Sequence, residues 1–476
     1  MARRKPKRVE NITIIDFAHK GKTIGKGEDG FVYLIEGPVP GDVVNAIYYK
    51  KRKGLRVAKA IEYPVLSDKR TEPRCEHFGV CGGCKWQHTK YESQLYYKEK
   101  AVRDAVERIA HDDGTKVLPI LKCEEIFYYR NKIEYTFCNS RWISEEEAES
   151  DVEITDRNAA GFHRPGVFNK VVNLNTCHLQ ETLGNEIRLF LRDYTLSKGY
   201  TFFDYSNNVG LMRNLTLRNS SIGEWMVSVI FRDDDDVAIE DVMSQMKAKF
   251  PQITSLFYVI NQKMNDTLYD QEYILYHGKP KMEEQLGSIR YEIGPKSFFQ
   301  TNSAQAKHLF DIAVEYADLK PTDVVYDLYT GLGSIALYIA NKCKEVYGIE
   351  EIPQAIEDAR DNQELNGITN ATFFAGDCKE ILTMDFMQTY GKPDVVITDP
   401  PRAGMHETVV ETLLLIAAPK IVYISCNPAT QARDLVLLNK KYELVKVKPV
   451  DMFPHTQHIE SVALLKLRED HEERRF

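Results

Sequence analysis

Asp323-Val-Val-Tyr-Asp-Leu-Tyr-Thr-Gly-Leu-Gly-Ser334 is the stretch whose reading decides the fold. Its first half, Asp323–Leu328, is an apolar run of strand length. The run opens into Tyr329-Thr-Gly-Leu-Gly-Ser334 and then into helical periodicity over Ile335–Asn341. Glycines at a strand-to-helix turn let a ligand come close to the backbone. The next strand, Glu345–Ile349, ends at Glu350, 19 residues past Gly331, where a carboxylate can accept both hydroxyls of a ribose. Further strands over Asp394–Thr398 and Ile421–Ser425 alternate with helical segments. From about residue 281 the chain therefore reads as a doubly wound α/β fold. The single G-x-G and the acidic residue suit NAD enzymes as well as other enzymes that bind a ribose.

Chemistry concentrates at the strand ends of this half. Asp394–Thr398 runs into Asp399-Pro-Pro-Arg-Ala-Gly404, whose prolines stiffen a loop and aim the Asp side chain outward. Ile421–Ser425 runs into Cys426-Asn-Pro428, and a last strand opens with His458-Ile-Glu460. Taken singly, Cys426 is a buried structural thiol and Asp399 a helix N-cap. Ligands of such sheets bind beyond the carboxyl ends of the parallel strands, where Asp399 and Cys426 both fall. The position of Cys426, the Pro two residues on and the partner Glu460 favour a nucleophile.

Towards the N-terminus, Cys75-Glu-His-Phe-Gly-Val-Cys81-Gly-Gly-Cys84 sets three thiols in one loop as C-x5-C-x2-C. Converging thiolates need a metal or cluster to offset their repulsion, and the glycines let the backbone turn around it. The fourth ligand is expected at Cys177, with Cys123 the alternative; tetrahedral zinc would use the same set. The nine cysteines are odd in number and irregular in spacing, which argues against a disulfide framework. Cys138, Cys343 and Cys378 read as small buried hydrophobes.

Before that loop, short runs at Asn11–Ile15, Gly30–Glu36, Val43–Tyr49 and Leu55–Ile61, broken by glycines, predict a small antiparallel barrel. Tyr48-Tyr-Lys-Lys-Arg-Lys-Gly-Leu-Arg56 puts aromatics beside cations, a combination that stacks bases and neutralises phosphates. Residues 1–70 carry 16 Lys and Arg against 8 Asp and Glu, while the whole chain has a net charge of −8. On charge alone this is either a basic nucleic-acid module on an acidic body or a solvated face. Between barrel and α/β half lie a helix within Lys90–Ala110 and a mostly stranded stretch, with acidic segments Glu145–Asp151 and Asp233–Asp236 as solvated faces.

Several of these motifs resemble known families. Gly25-Lys-Gly27, Pro40-Gly-Asp42 and Ala58-Lys-Ala60 resemble the TRAM domain, an OB-like RNA-binding barrel. Phe298-Phe-Gln-Thr-Asn302, Asp327-Leu-Tyr-Thr-Gly-Leu-Gly333, Asp399-Pro-Pro-Arg402, Ser425-Cys-Asn-Pro428 and His458-Ile-Glu460 stand in the order of the RNA uracil-C5 methyltransferase family. With the cysteine motif, the likeness covers nearly the whole chain and is closest to the RumA-type iron–sulfur branch acting on 23S rRNA. Thr330 departs from the Cys that many members carry.

The resemblance implies three domains: a TRAM barrel over 1–70, a β-rich central domain with a [4Fe–4S] site over 71–280, and a Rossmann-like class I methyltransferase domain using S-adenosylmethionine over 281–476. It implies Cys426 as the nucleophile that adds to uracil C6, Glu460 as the base that removes the C5 proton, and Asp399 beside them. Gln300, Tyr329, Glu350 and Asp399 match the family's cofactor positions, and Asp377 is placed to meet the adenine amine. Cys75, Cys81, Cys84 and Cys177 become ligands of the [4Fe–4S] cluster. Phe298 either stacks on the target base or packs ordinarily, and Arg130 either meets RNA or serves an ion pair.

The expected partner is therefore RNA, 23S rRNA first, met by a monomer. The rivals are the T-loop uridine of tRNA as substrate and a non-catalytic RNA-binding assembly factor. Met1–Arg8 lacks the apolar segment of a signal peptide, and no apolar run reaches the roughly 18 residues of a membrane span. A cytoplasmic protein without a membrane partner is expected.

Overall fold

The computed structural model describes residues 7–52 and 54–469. Met1–Pro6 of the basic N-terminus and Lys53 of the Tyr48–Arg56 run lie outside them.

Lys7–Phe17, Thr23–Lys26, Val32–Glu36, Val43–Arg52 and Leu55–Val65 form a closed barrel in the order first, second, third, fifth, fourth. Alternate residues fill it: Ile12, Ile14, Tyr33, Ile35, Val44, Ala46 and Ala58. One seam departs from the antiparallel expectation, because Val32–Glu36 and Leu55–Val65 run parallel. The fourth strand crosses to pair with the first, so the fifth re-enters beside the third in the same direction. Gly25 is required by this closure: a Cβ there would stand 2.6 Å from Ile12 Cγ2. Outside, the Arg56 guanidinium lies 3.4 Å over the Phe31 ring and 5.4 Å from that of Tyr48.

A seven-stranded sheet follows, in the order Ile274–Gly278, Ile253–Ile260, Trp225–Phe231, Met212–Asn219, Lys132–Cys138, Ala159–His163 and Val171–Asn173. Its pairs are antiparallel except Trp225–Phe231 with Ile253–Ile260. Helices Thr182–Ser197 and Asp236–Lys249 cover one face and complete an apolar core with Ile187, Leu191, Val242 and Met246. The acidic stretches are a short exposed helix, Glu145–Glu149, and the start of Asp236–Lys249, where Asp235 accepts from Ala238 N.

The second seven-stranded sheet has the order Ala371–Ala375, Glu345–Glu350, Val324–Leu328, Val395–Thr398, Lys420–Ser425, Glu460–Leu467 and Tyr442–Val450. The first five strands are parallel; Glu460–Leu467 runs antiparallel to both its neighbours. Their near-continuous apolar runs reflect burial on both faces, where each enclosed Val, Leu or Ile contributes roughly 1.5–3 kcal/mol. The strand order reverses between Val324–Leu328 and Val395–Thr398, which opens a crevice at their carboxyl ends. Helix Tyr91–Arg108 packs on this sheet through Val102, Ala105 and Val106. Its Lys98, wholly buried, pairs at 2.6 Å with the equally buried Asp451. No described helix is long and apolar enough to cross a membrane.

Candidate functional site at the strand ends

The strands Lys420–Ser425 and Glu460–Leu467 place Ser425 opposite Ser461. Cys426 follows the first and Glu460 precedes the second, so the antiparallel register brings thiol and carboxyl to one sheet edge. Asp399 joins them from the adjoining strand, its amide donating to Leu328 O at 3.3 Å. The Asp399–Gly404 loop is tied to the Cys426 loop: Asn427 Nδ2 donates to Arg402 O at 3.0 Å, and Thr430 Oγ1 at 3.3 Å. Arg402 itself stands 3.4 Å from His458 Nδ1.

Three groups able to carry negative charge thus share a site with one guanidinium. Burial, then Glu460 and Asp399, pushes the Cys426 thiol up to about 11, while Arg402 pulls against them. Burial, then Asp399, holds the Glu460 carboxyl well above its usual range. Asp399 as a residue is only half-buried, but its carboxyl is enclosed, and that enclosure with nearby Asp327 pushes it up to about 7. Burial and Arg402 hold His458 near 4, neutral at pH 7. Arg402 and His458 were legible as motif residues, but no role followed until they stood beside the thiol.

The crevice half is built from Tyr329, Thr330 and Gly331. Tyr329 and Gly331 adopt left-handed φ of 64° and 58°, and Gly333 one of 81°. A left-handed non-glycine residue costs about 1–3 kcal/mol, strain that collects at binding sites. A Cβ on Gly331 would meet nothing within 4 Å, so the space beside it is open. Glu350 holds the loop, accepting from Gly331 N at 3.1 Å and Ile352 N at 3.0 Å. Asp327, unassigned from sequence, accepts from Thr330 Oγ1 at 2.5 Å and Ala336 N at 3.1 Å, yet its Oδ1 is buried without a partner. Asp377 caps the helix Cys378–Ile381 and pairs with Lys379 Nζ at 2.7 Å. Gln300 is fixed through its carbonyl, which accepts from Asn131 Nδ2 at 3.0 Å.

A separate cavity of about 440 Å³ is lined by Cys75, Cys81, Cys84 and Cys177. Cys123 is not among its walls; its thiol donates to Glu125 O at 3.2 Å. Although four thiols share the cavity, no three His, Cys, Asp or Glu among the described residues converge as ligands of a metal ion. Phe298 and Arg130 line the same cavity rather than the surroundings of Cys426. Phe298 is 73% exposed, so it is not a packed core ring. Arg130 makes no ion pair among the described residues; its Nε donates to Lys132 O at 2.8 Å.

Cys426 opens instead onto a groove of about 720 Å³ between barrel, cysteine loop and helix Tyr91–Arg108, with Lys20, Lys85, Trp86 and Arg402 on its walls.

Known proteins resemble this chain over most of its length. The family model for tRNA (uracil-5-)-methyltransferases matches residues 220–468. An uncharacterized RNA methyltransferase of Porphyromonas gingivalis is 49% identical over 459 residues, 95% of this chain and 98% of its own. One from Bacteroides thetaiotaomicron is 47% identical over 454 residues, 95% of this chain and 100% of its own. Among solved structures, Pyrococcus abyssi tRNA (uracil-54, C5)-methyltransferase in complex with S-adenosyl-L-homocysteine matches with a TM-score of 0.74 at 27% identity, covering 95% of this chain and 99% of that one. With its OB-like barrel and its α/β core, this chain belongs to the family of S-adenosylmethionine-dependent RNA uracil-C5 methyltransferases.

Proposed function

We propose that the chain methylates C5 of a uracil in tRNA, with Cys426 as nucleophile and Glu460 as base. The observation that carries the chemistry is the placing of Cys426 and Glu460 on either side of the Ser425–Ser461 register, in each other's field and that of Asp399. The full-length likeness to the Pyrococcus abyssi enzyme supports tRNA over the 23S rRNA expected from sequence. The rRNA reading keeps one observation in its favour: the four cysteines of the rRNA-type motif lie around a single cavity. The groove beside Cys426, with its lysines and Trp86, suits a phosphate chain and stacked bases.

Uracil C5 is a poor nucleophile until the ring is activated. The Cys426 thiolate adds to C6, and the C5–C6 π pair moves onto C5 and O4. Bound S-adenosylmethionine supplies an electrophilic methyl group. Once C5 is methylated, the Glu460 carboxylate takes the C5 proton, the C5–C6 double bond re-forms, and the C6–S bond breaks to return the thiolate. Asp399, its carboxyl pushed up to about 7 by enclosure and by Asp327, would stand beside the uracil on the stiff Pro-Pro loop. The cofactor's fit rests on the open space at Gly331 and the unpaired Asp327 oxygen, with Glu350 taking the ribose and Gln300, Tyr329, Asp377 and Asp399 lining the remainder.

Cys75, Cys81, Cys84 and Cys177 suit a [4Fe–4S] cluster better than one zinc ion: four thiols line one cavity without converging on a point, and a cluster spreads its irons over several corners.

The substrate is tested by offering unmodified tRNA and 23S rRNA transcripts to the purified protein and mapping 5-methyluridine. Methylation of a T-loop uridine is expected; methylation of the rRNA alone overturns the tRNA reading.

A further inference from the structure

Arg188 lies on the inner face of helix Thr182–Ser197 and is wholly buried. Its guanidinium donates to three carbonyls, Leu174 O at 2.5 Å, Asn175 O at 3.0 Å and Ala160 O at 3.2 Å, and to Asn185 Oδ1 at 3.3 Å. Its Nε has no partner, and no described carboxylate pairs with it. Dipoles orient a guanidinium but do not cancel its charge, and a buried charge without a counter-ion is costly.

The other deeply buried cations differ. Lys98 has Asp451, and Arg213 has Asp266 at 3.2 Å. Arg218, also buried, makes no such pair but has Glu134 and Glu284 in its field. Around Arg188 the charge-bearing or ionisable groups are Cys177, Tyr135, His77 and a second cation, Arg192, none of them a carboxylate. The Tyr135 ring lies 5.1 Å away, and its buried side chain stands beside both Arg188 and Cys177. Cys177 is one step away: the Asn185 side chain that accepts from Arg188 also accepts from Cys177 N at 2.8 Å and donates to Cys177 O at 3.0 Å. The anion missing beside Arg188 is therefore on the cysteine site.

We propose that Arg188 is the buried counter-cation of the four-cysteine site, held behind Cys177 to balance the negative charge of a thiolate-bound cluster. This rests on the cluster reading above. A cation behind a ligand thiolate favours the more negative, reduced cluster and retards loss of iron.

The test compares wild type, Arg188→Met, Arg188→Lys and Arg213→Met, whose arginine is buried but does not line the cysteine cavity, each reconstituted anaerobically with iron and sulfide. Iron and sulfide content, visible absorption, reduction midpoint and the rate of iron loss to a chelator are measured. Arg188→Met is expected to show a more negative midpoint and faster iron loss, with Arg188→Lys returning towards wild type and Arg213→Met unchanged. If Arg188→Met does not fold, Arg188→Gln removes the charge while keeping an amide donor. Loaded wild type and a neutral variant with the same midpoint and chelator rate overturn the role of Arg188. Wild type that takes up no iron overturns the cluster itself, a separate result.

Discussion

Cys426 follows a parallel strand with Glu460, Asp399 and Arg402 around it, whereas Cys75, Cys81, Cys84 and Cys177 share a cavity with one another and have Arg188 behind Cys177. Burial raises Cys426, and it also raises Cys81 and Cys84, to about 12. What differs is the company each thiol keeps. Beside Cys426 stand a carboxyl able to receive a proton and an open groove; the four stand beside one another, with cations on the same walls, Arg130, Arg218 and Lys296 among them, and Arg188 behind Cys177. The first arrangement suits a thiolate formed, used and released in each cycle. The second suits thiolates held permanently by a bound group.

That comparison breaks most easily at the nucleophile. Cys426→Ala is expected to lower methyl transfer by at least about 10⁴-fold, with iron content unchanged, as followed by tritium release from C5-labelled uracil RNA. Glu460→Gln should reduce turnover by about 10²–10⁴-fold, the span of general-base catalysis. Unlike Cys426→Ala, it should accumulate a covalent RNA adduct, because addition and methylation precede the step it blocks. A gel-shifted, denaturant-stable complex with ordinary uracil RNA is the readout.

Cys177→Ala and Cys123→Ala sharpen the other side. The first should lose most bound iron after anaerobic reconstitution, and the second should match wild type; the reverse pattern would move the fourth ligand to Cys123. Arg402→Ala should slow adduct formation by about 10–100-fold, since a charge-assisted contact contributes about 1.5–3 kcal/mol. The sign of its pH effect follows from the thiol. Below its raised pKa the thiolate fraction grows about tenfold per pH unit, so the rate climbs with pH. Removing the cation raises that pKa further and moves the limb to higher pH. An unshifted limb in Arg402→Ala would mean that the guanidinium does not act on the thiol.

How far the sequence reached depended on whether the signal was local. Val324–Leu328 with its glycine turn, and the strands ending at Asp399 and Cys426, are contiguous runs whose periodicity and punctuation mark them. The parallel seam of the barrel was not legible, because parallel and antiparallel partners leave the same alternation in a single strand. Helix Tyr91–Arg108 was legible as a helix, yet its docking on the second sheet depends on Lys98 meeting Asp451, far along the chain. Phe298 could not be placed from its motif, since the loop carrying it turns towards the cysteine cavity. Arg188 gave no signal at all: an arginine in an amphipathic helix reads as solvent-facing until its neighbours are known.

The most direct measurement is the trapping of RNA containing 5-fluorouracil in the presence of S-adenosylmethionine, followed by peptide mapping of the cross-link. With no C5 proton to remove, the account predicts a stable adduct on Cys426, absent in Cys426→Ala. An adduct on another cysteine, or one formed equally by Cys426→Ala, would contradict it.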